Sequence, residues 1–496
     1  LVSLDFILER ADVGYDRDER TPLWESRDRC AILDELDSAI GVAPYPLLAE
    51  LDDKERELVG PLSIRAPYAD REDDVKAYFT QSFDADVPSF ERALRRVNLL
   101  IPNHSVRPLS WDNAYDHIPH NKWWGLPWAT SDPSVGPWYL ENAPSIVSPE
   151  QVYPSVIGWR GQAHGPTKGK DRVVWMACKL STIIEATLMY PLLSSLRTCM
   201  GFSAWGTPDD VDVAITKLME TATSRQLTMM SGDYSGFDAS VSRHLIDAVF
   251  DALMGQWLVP EMSSRLELCK EIFATGGICV PYKVLDGRNG GVPSGSVFTN
   301  LVDSLINLVA GYYTAERYGV ELLRYEVMGD DSVFVFNPSI TSEELSNAVG
   351  ELGLKMNPEK QYVHDDAVHY LQRLYVLEHK SNGIYRGMHN PYRSMSGLTG
   401  IEYFHTDWDE YLVSARAIMQ VENVKHDPRF PEFVEFVYDG DQLLRSGMDP
   451  AEIIRRAGGA ERIRDSLDKQ SFPYNVYDPD AVETFTSTDV IRSLQS

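Results

Sequence analysis

The sequence predicts an α+β fold, a few strands set among many helices, and three observations carry that expectation. Leu227-Thr228-Met229-Met230 is a short strand candidate ended by Ser231-Gly232, and beyond Gly236 the residues Val241, Leu245, Val249 and Leu253 follow helical spacing. Leu322 to Phe336 has the form strand–turn–strand, with Gly329-Asp330 at the turn between apolar flanks. The sequence on either side of this middle third reads mostly as helix.

In chain order, residues 31–60 read as helix, broken at Pro44 and Pro46, with a charged and exposed stretch from Asp52 to Glu57. Residues 120–140 hold Trp123, Trp124, Gly125, Pro127, Trp128, Pro133, Gly136, Pro137 and Trp138, too much Gly and Pro for regular structure. So many tryptophans imply a packed loop rather than a free linker. Residues 182–200 read as a buried helix and 210–224 as an amphipathic one. The last hundred residues read as short helices, ending in an extended stretch from Phe472 to Asp480.

At 496 residues the chain is too long for one ordinary core, and length alone suggests roughly three domains. No apolar run is long enough to span a bilayer, and Asp5 and Glu9 interrupt the first ten residues, unlike a signal peptide. Cys30, Cys178, Cys199, Cys269 and Cys279 are scattered without zinc-ligand spacing, so buried free thiols in a reducing compartment are expected. Asn103-His104-Ser105 fits a glycosylation sequon but has no secretory context. The net charge of −28 argues against a nucleic-acid binder, because phosphate contacts need lysine and arginine. One segment departs from that balance: Arg160, Lys168, Lys170, Arg172 and Lys179 face a single acid, Asp171. An acidic shell around a basic interior channel reconciles the two.

The chemistry gathers on carboxylates. Asp233 stands just past a strand, Asp238 follows as a helix begins, and Asp330 and Asp331 are adjacent in a tight turn. Adjacent carboxylates repel, so a hairpin tip presenting two of them wants a cation, and hard oxygen ligands suit magnesium or manganese. Taken singly these signals are weak: Gly-Asp-Asp is ordinary turn chemistry, and an Asp at a helix start is more often a cap. Between the acidic sites lies Gly290-Gly291-Val292-Pro293-Ser294-Gly295, leading into a helix buried along Phe298, Leu301, Val302, Leu305 and Val309. Thr299, Asp303 and Asn307 stand a turn apart on another of its faces, suited to gripping a sugar and a strand backbone.

In order and interval these residues resemble the right-hand polymerases of RNA viruses. Asp233-Tyr-Ser-Gly-Phe-Asp238 is similar to their motif A, Ser294-Gly-Ser-Val-Phe-Thr299 to motif B and Gly329-Asp330-Asp331 to motif C. The basic segment resembles motif F, which contacts the incoming triphosphate, with Arg172 the best match beside Lys168 and Lys170. Gly353-Leu-Lys-Met-Asn-Pro-Glu-Lys360 resembles motif D, with Lys360 or Lys355 as its pyrophosphate acid, and His369-Tyr-Leu-Gln-Arg-Leu-Tyr375 resembles the primer-gripping motif E. Asp303 stands where picornavirus-like enzymes carry asparagine, and the run around it is more similar to the partitivirus and picobirnavirus group of double-stranded RNA viruses.

The resemblance implies an encircled right hand with an antiparallel palm sheet. An extension over 1–75 would bridge fingers and thumb, with fingers over 76–225 and an insertion over 256–285. Palm would occupy 226–255 and 286–378, and thumb and tail 379–496. It implies two Mg2+ ions, replaceable by Mn2+, on Asp233, Asp330 and Asp331. Asp238, Ser294, Gly295, Thr299 and Asp303 would hold the nucleotide with motif F, and Arg373 would contact RNA. The implied partners are RNA template and product, nucleoside triphosphates and a viral capsid protein, without a membrane, inside the virion and in the host cytoplasm. A reverse transcriptase is the nearest rival, but it carries a bulky aromatic where Asp238 stands. A non-enzymatic RNA-packaging virion protein leaves the ordered motifs unexplained, and Gly165-Pro-Thr-Lys-Gly-Lys170 lacks the spacing of a phosphate loop.

Overall fold

The computed structural model describes residues 3–120, 122–403 and 408–466, and the predicted extended stretch from Phe472 to Asp480 lies outside them. Ten strands matter to the site. The first five are β1 (Ser155–Ala163), β2 (Gly169–Met176), β3 (Met229–Gly232), β4 (Ile278–Val280) and β5 (Lys283–Leu285). The others are β6 (Glu321–Met328), β7 (Asp331–Asn337), β8 (Tyr362–His364), β9 (Ala367–Tyr370) and β10 (Arg373–Val376).

The central sheet runs β6-β7-β3-β8 and every pairing in it is antiparallel. Its strand β7 is an unbroken apolar run, Val333-Phe334-Val335-Phe336, because helices cover both faces. Phe334 and Phe336 pack with Leu305, Val309 and Tyr313 of the helix Thr299–Tyr318. Val333 and Val335 point the other way, onto Val211, Ile215 and Leu218 of the helix Pro208–Ser224. Each such buried side chain contributes roughly 1.5–3 kcal/mol, so the strand is held from two sides. A hairpin pinned this way cannot slip by one residue without turning its whole core face outward.

A second sheet, β2-β1-β4-β5, stands apart from the first, with β1 and β2 paired over their full length. The chain is thus an α+β right hand, with the antiparallel β6-β7-β3-β8 sheet as palm and the β1–β2 hairpin among the fingers. Helices Pro391–Thr399, Glu410–Glu422 and Phe430–Gly440 form a separate thumb core, and Ile32, Leu33, Leu36 and Ile40 of the helix Arg29–Ile40 are built into it. Ala11, Tyr68 and Val75 pack instead on Ile157, Trp159 and Trp175 of the fingers. The N-terminal segment therefore touches both sides of the hand.

Four expectations need correction. The charged stretch from Asp52 to Glu57 is not exposed throughout, because Asp52 and Glu55 are buried in ion pairs with Arg429 and Arg393. The tryptophan-rich stretch is irregular only as far as Val135; Gly136–Asn142 is helical, since Pro137 falls in the first turn, where a missing N–H costs nothing. The helix expected after Gly236 is interrupted once, at Val241-Ser242: a single turn, Phe237–Ser240, precedes it, and the helix then runs from Arg243 to Trp257 with a wide π segment at Ala248–Met254. Buried thiols hold for Cys178, Cys269 and Cys279, whereas Cys199 is half-buried and Cys30 is exposed.

Candidate active site

Strand β3 ends at Gly232 and delivers Asp233 beside the β6–β7 turn, because Gly232 pairs with Ser332, next to Asp331. Gln361 fixes that position: its amide accepts from Asp233 N at 2.9 Å and donates to Asp233 O at 3.0 Å. The turn is held from the glycine-loop helix. Asn307 Nδ2 donates to the carbonyls of Gly329 (3.1 Å) and Asp330 (3.0 Å), and Asn307 Oδ1 accepts from the Tyr234 hydroxyl at 3.1 Å. Ser304 Oγ accepts from Gly329 N at 2.8 Å. One buried amide thus ties together the three segments that carry the carboxylates.

Asp330 and Asp331 touch solvent, yet protein surrounds them closely enough to raise both carboxyl groups above their ordinary range. Burial is the main cause for Asp331, pushed up to about 7, with the Asp330 charge next. Burial likewise dominates for Asp330, opposed by Arg172 and reinforced by Asp233. Asp303 is almost wholly buried and its carboxyl is held well above normal by burial and then by Asp238. Asp238 is raised by burial and then by the Asp330 charge, and it lies in hydrogen-bonding contact with Asp303, with Asp303 as donor and Asp238 as acceptor.

The face the sequence assigned to sugar recognition is therefore not a solvated one: Asp303 and Asn307 lie inside the protein. Ser294 Oγ accepts from Trp175 N of β2 at 2.9 Å, leaving its O–H to donate elsewhere. Thr299 instead uses its hydroxyl proton on the carbonyls of Pro293 and Ser296, both at 2.8 Å, and so shapes the loop. Gly295 lies so close to β2 that a Cβ would stand 1.9 Å from the Trp175 carbonyl oxygen. The loop is anchored at both ends by buried charges: Arg288 donates to Gly290 O and Gly291 O, and Glu185 accepts from Ser296 Oγ and Val297 N.

Of the basic segment, Arg172 is the member whose charge opposes the raised pKa of Asp238, Asp330 and Asp331. Lys170 is exposed on the same face of β2, two residues nearer the hairpin tip, and Lys168 is exposed in the turn itself. Lys360 is exposed on the short turn Pro358–Lys360 before β8, while the Lys355 carbonyl accepts from Ser235 N. Arg373 contradicts its expected RNA contact. It is only 5% exposed and donates to the Gly387 and Asn423 carbonyls at 3.3 and 3.4 Å, a brace between β10 and the thumb.

Arg393 was not anticipated; its charge reaches Asp331 from the thumb helix Pro391–Thr399. Asn307, Gln361 and Glu185 were not assigned these roles either, since each acts on groups distant in sequence.

Asp233, Asp330 and Asp331 do not draw together as a tight metal cage. Among the described residues the cluster whose ligand atoms all lie within 4.8 Å is Asp209, Asp212 and His426. There Arg386 already supplies positive charge, 2.7 Å from Asp209 and 3.2 Å from Asp212. Among the described residues the palm aspartates have no comparable cation in contact.

Residues 161–398 match the family model for viral RNA-dependent RNA polymerase. Fold, motif order and family match agree: the chain is of the viral RNA-dependent RNA polymerase type, an RNA-directed RNA polymerase. Within that class its similarity extends along nearly the whole chain to picobirnavirus polymerases. It is 27% identical over 485 residues, 90% of this chain and 87% of the relative, to the potential RNA-dependent RNA polymerase of a human picobirnavirus, strain Human/Thailand/Hy005102/-. A 221-residue stretch, 43% of this chain and 42% of the relative, is 25% identical to the RNA-directed RNA polymerase of Cryptosporidium parvum virus 1, strain KSU-1. The crystal structure of a human picobirnavirus RNA-dependent RNA polymerase shares the fold, with a TM-score of 0.84 and 23% identity. The match covers 98% of this chain and 96% of that one.

The raised Asp331 carboxyl has a measurable consequence. An acid whose folded pKa exceeds its unfolded value of about 3.9 favours the folded state when protonated, and that contribution is lost as pH rises toward 7. In EDTA, Asp331→Asn is therefore expected to be more stable than the parent at pH 8, by on the order of 1 kcal/mol after solvent screening. The gap should narrow as pH falls below 6 in thermal unfolding. A gap that ignores pH would contradict this account of the site.

Proposed function

We propose that this chain replicates and transcribes a viral, double-stranded RNA genome by two-metal nucleotidyl transfer. The observation that carries the reading is the convergence of Asp233 with the Asp330-Asp331 turn, where the surrounding protein raises both turn carboxyls. The donor set fits the implied ions: hard carboxylate oxygens, those of Asp330 and Asp331 raised chiefly by burial, with no lysine or arginine in contact among the described residues. Asp233 and Asp330 would be the main ligands of two Mg2+ ions, or Mn2+ in their place, with Asp331 in support. Such ions, when bound, activate the attacking hydroxyl and neutralise charge on the leaving pyrophosphate.

The protein's own groups do the rest. Arg172, with Lys170 and Lys168 along the hairpin, would balance triphosphate charge as it approaches the aspartates. Asp238 accepts a hydrogen bond from Asp303 on one side and would keep acceptor capacity for the ribose 2′-hydroxyl, while the Ser294 O–H would donate to the sugar. Lys360 stands on the turn beside Gln361, which braces Asp233, and is the acid proposed for pyrophosphate. Among the described residues no helix is long and apolar enough to cross a membrane. The resemblance supports work inside a virion and in the host cytoplasm, alongside a capsid protein.

The direct test supplies RNA template, Mg2+ and ribonucleotides to the purified protein. RNA synthesis is expected from the parent and its loss from Asp330→Asn; synthesis that survives the substitution would sink the mechanism. Deoxyribonucleotide competition tests the sugar contact. Asp238→Ala should reduce discrimination against deoxyribonucleotides by about 10- to 100-fold, as one charge-assisted hydrogen bond is worth about 1.5–3 kcal/mol. An unchanged discrimination ratio would reject that role.

A further inference from the structure

The ring between thumb and fingers closes on a buried acid outside every motif considered so far. Glu402, just beyond the thumb helix Pro391–Thr399, is 3% exposed and reaches into the fingers hairpin. Its Oε1 accepts from Gly161 N of β1 at 2.7 Å and stands 4.0 Å from Arg65 Nη2. Its Oε2 stands 3.9 Å from Arg160 Nε. Arg65 also donates to the Glu402 carbonyl at 2.8 Å and lies over the Tyr403 ring, and the Tyr403 hydroxyl donates to Trp159 O at 2.6 Å. Three stretches far apart in sequence thus meet at one carboxylate. Their packing leaves no slack, because a Cβ on Gly161 would stand 1.6 Å from the Leu62 carbonyl oxygen.

The strand held this way pairs with the one that serves the site. Arg160 lies directly across from Arg172 in the β1–β2 register. Like charges opposite one another weaken a ladder. Glu402 offsets one of them from the thumb side, while Arg172 extends its charge to the palm aspartates. We propose that Glu402 is a positioning residue for the incoming triphosphate: by anchoring Gly161 and pairing with Arg160 it sets where Arg172 stands, and it ties nucleotide affinity to closure of the ring. This rests on the reading above that the hairpin receives the triphosphate.

Steady-state synthesis on a preformed primer–template, with Glu402→Ala, Glu402→Gln and Arg172→Ala in the full chain, separates the possibilities. Glu402→Ala is expected to raise the ribonucleotide KM about fivefold, the equivalent of roughly 1 kcal/mol, with kcat within about twofold. Glu402→Gln keeps an acceptor for Gly161 N and should recover most of that loss. In an Arg172→Ala background the effect of Glu402→Ala should shrink to less than about twofold, because the group being positioned is gone. An equal KM effect in both backgrounds, or none in the parent, overturns the proposal. Should Glu402→Ala fail to fold, Glu402→Asp, shorter by one methylene, carries the same test. An unchanged KM in Arg172→Ala alone rejects the placement of the triphosphate itself. A raised KM there with an unmoved one in Glu402→Ala rejects only the role of Glu402.

Discussion

Repulsion among carboxylates is the constraint that organises this molecule. Asp233, Asp238, Asp303, Asp330 and Asp331 are gathered from three segments, and burial together with neighbouring acids raises four of them. Left to themselves these groups would part. They stay because the palm is stiff: β7 is packed on both faces, and Asn307 ties the Tyr234 hydroxyl to the turn that carries Asp330. The fold holds the site in a state that a divalent cation would relieve. Stability given up at a site in this way is the usual counterpart of preorganised chemistry.

The same logic explains the charge balance. A chain of net charge −28 makes a poor long-range attractor of RNA, and its positive charge works locally. Arg172 comes in on the fingers hairpin and Arg393 on the thumb, and each lowers the pKa of acids in the palm. Neither charge belongs to the sheet that carries the aspartates. Where fingers and thumb stand therefore decides how the site is neutralised, which gives the buried junction at Glu402 its importance.

Much of this was legible in the sequence. The β6–β7 hairpin announced itself by apolar flanks around Gly329-Asp330, and the order of the motifs with their intervals singled out Asp233 and Asp238. Arg172 stood out against an acidic chain. What escaped were residues whose work is done across the fold. Asn307 looks like any polar residue on a helix until its amide is seen to bridge Tyr234 and Gly329, and Gln361 matters only because β8 lies beside β3. Arg373 misled for the converse reason. An arginine in a plain strand reads as a surface cation, but β10 is closed off by Met388–His389 and the thumb, so the guanidinium turns inward to carbonyls.

The central claim is that the raised carboxyl of Asp331 gives up its proton when a divalent cation enters among the palm aspartates. Calorimetric titration of Mg2+ into the metal-free protein at pH 7, in buffers of differing ionisation enthalpy, counts the released protons directly. The account predicts a net release of protons on binding, diminished in Asp331→Asn and fading as pH is raised toward 9. Binding of Mg2+ with no proton release at pH 7 would contradict it.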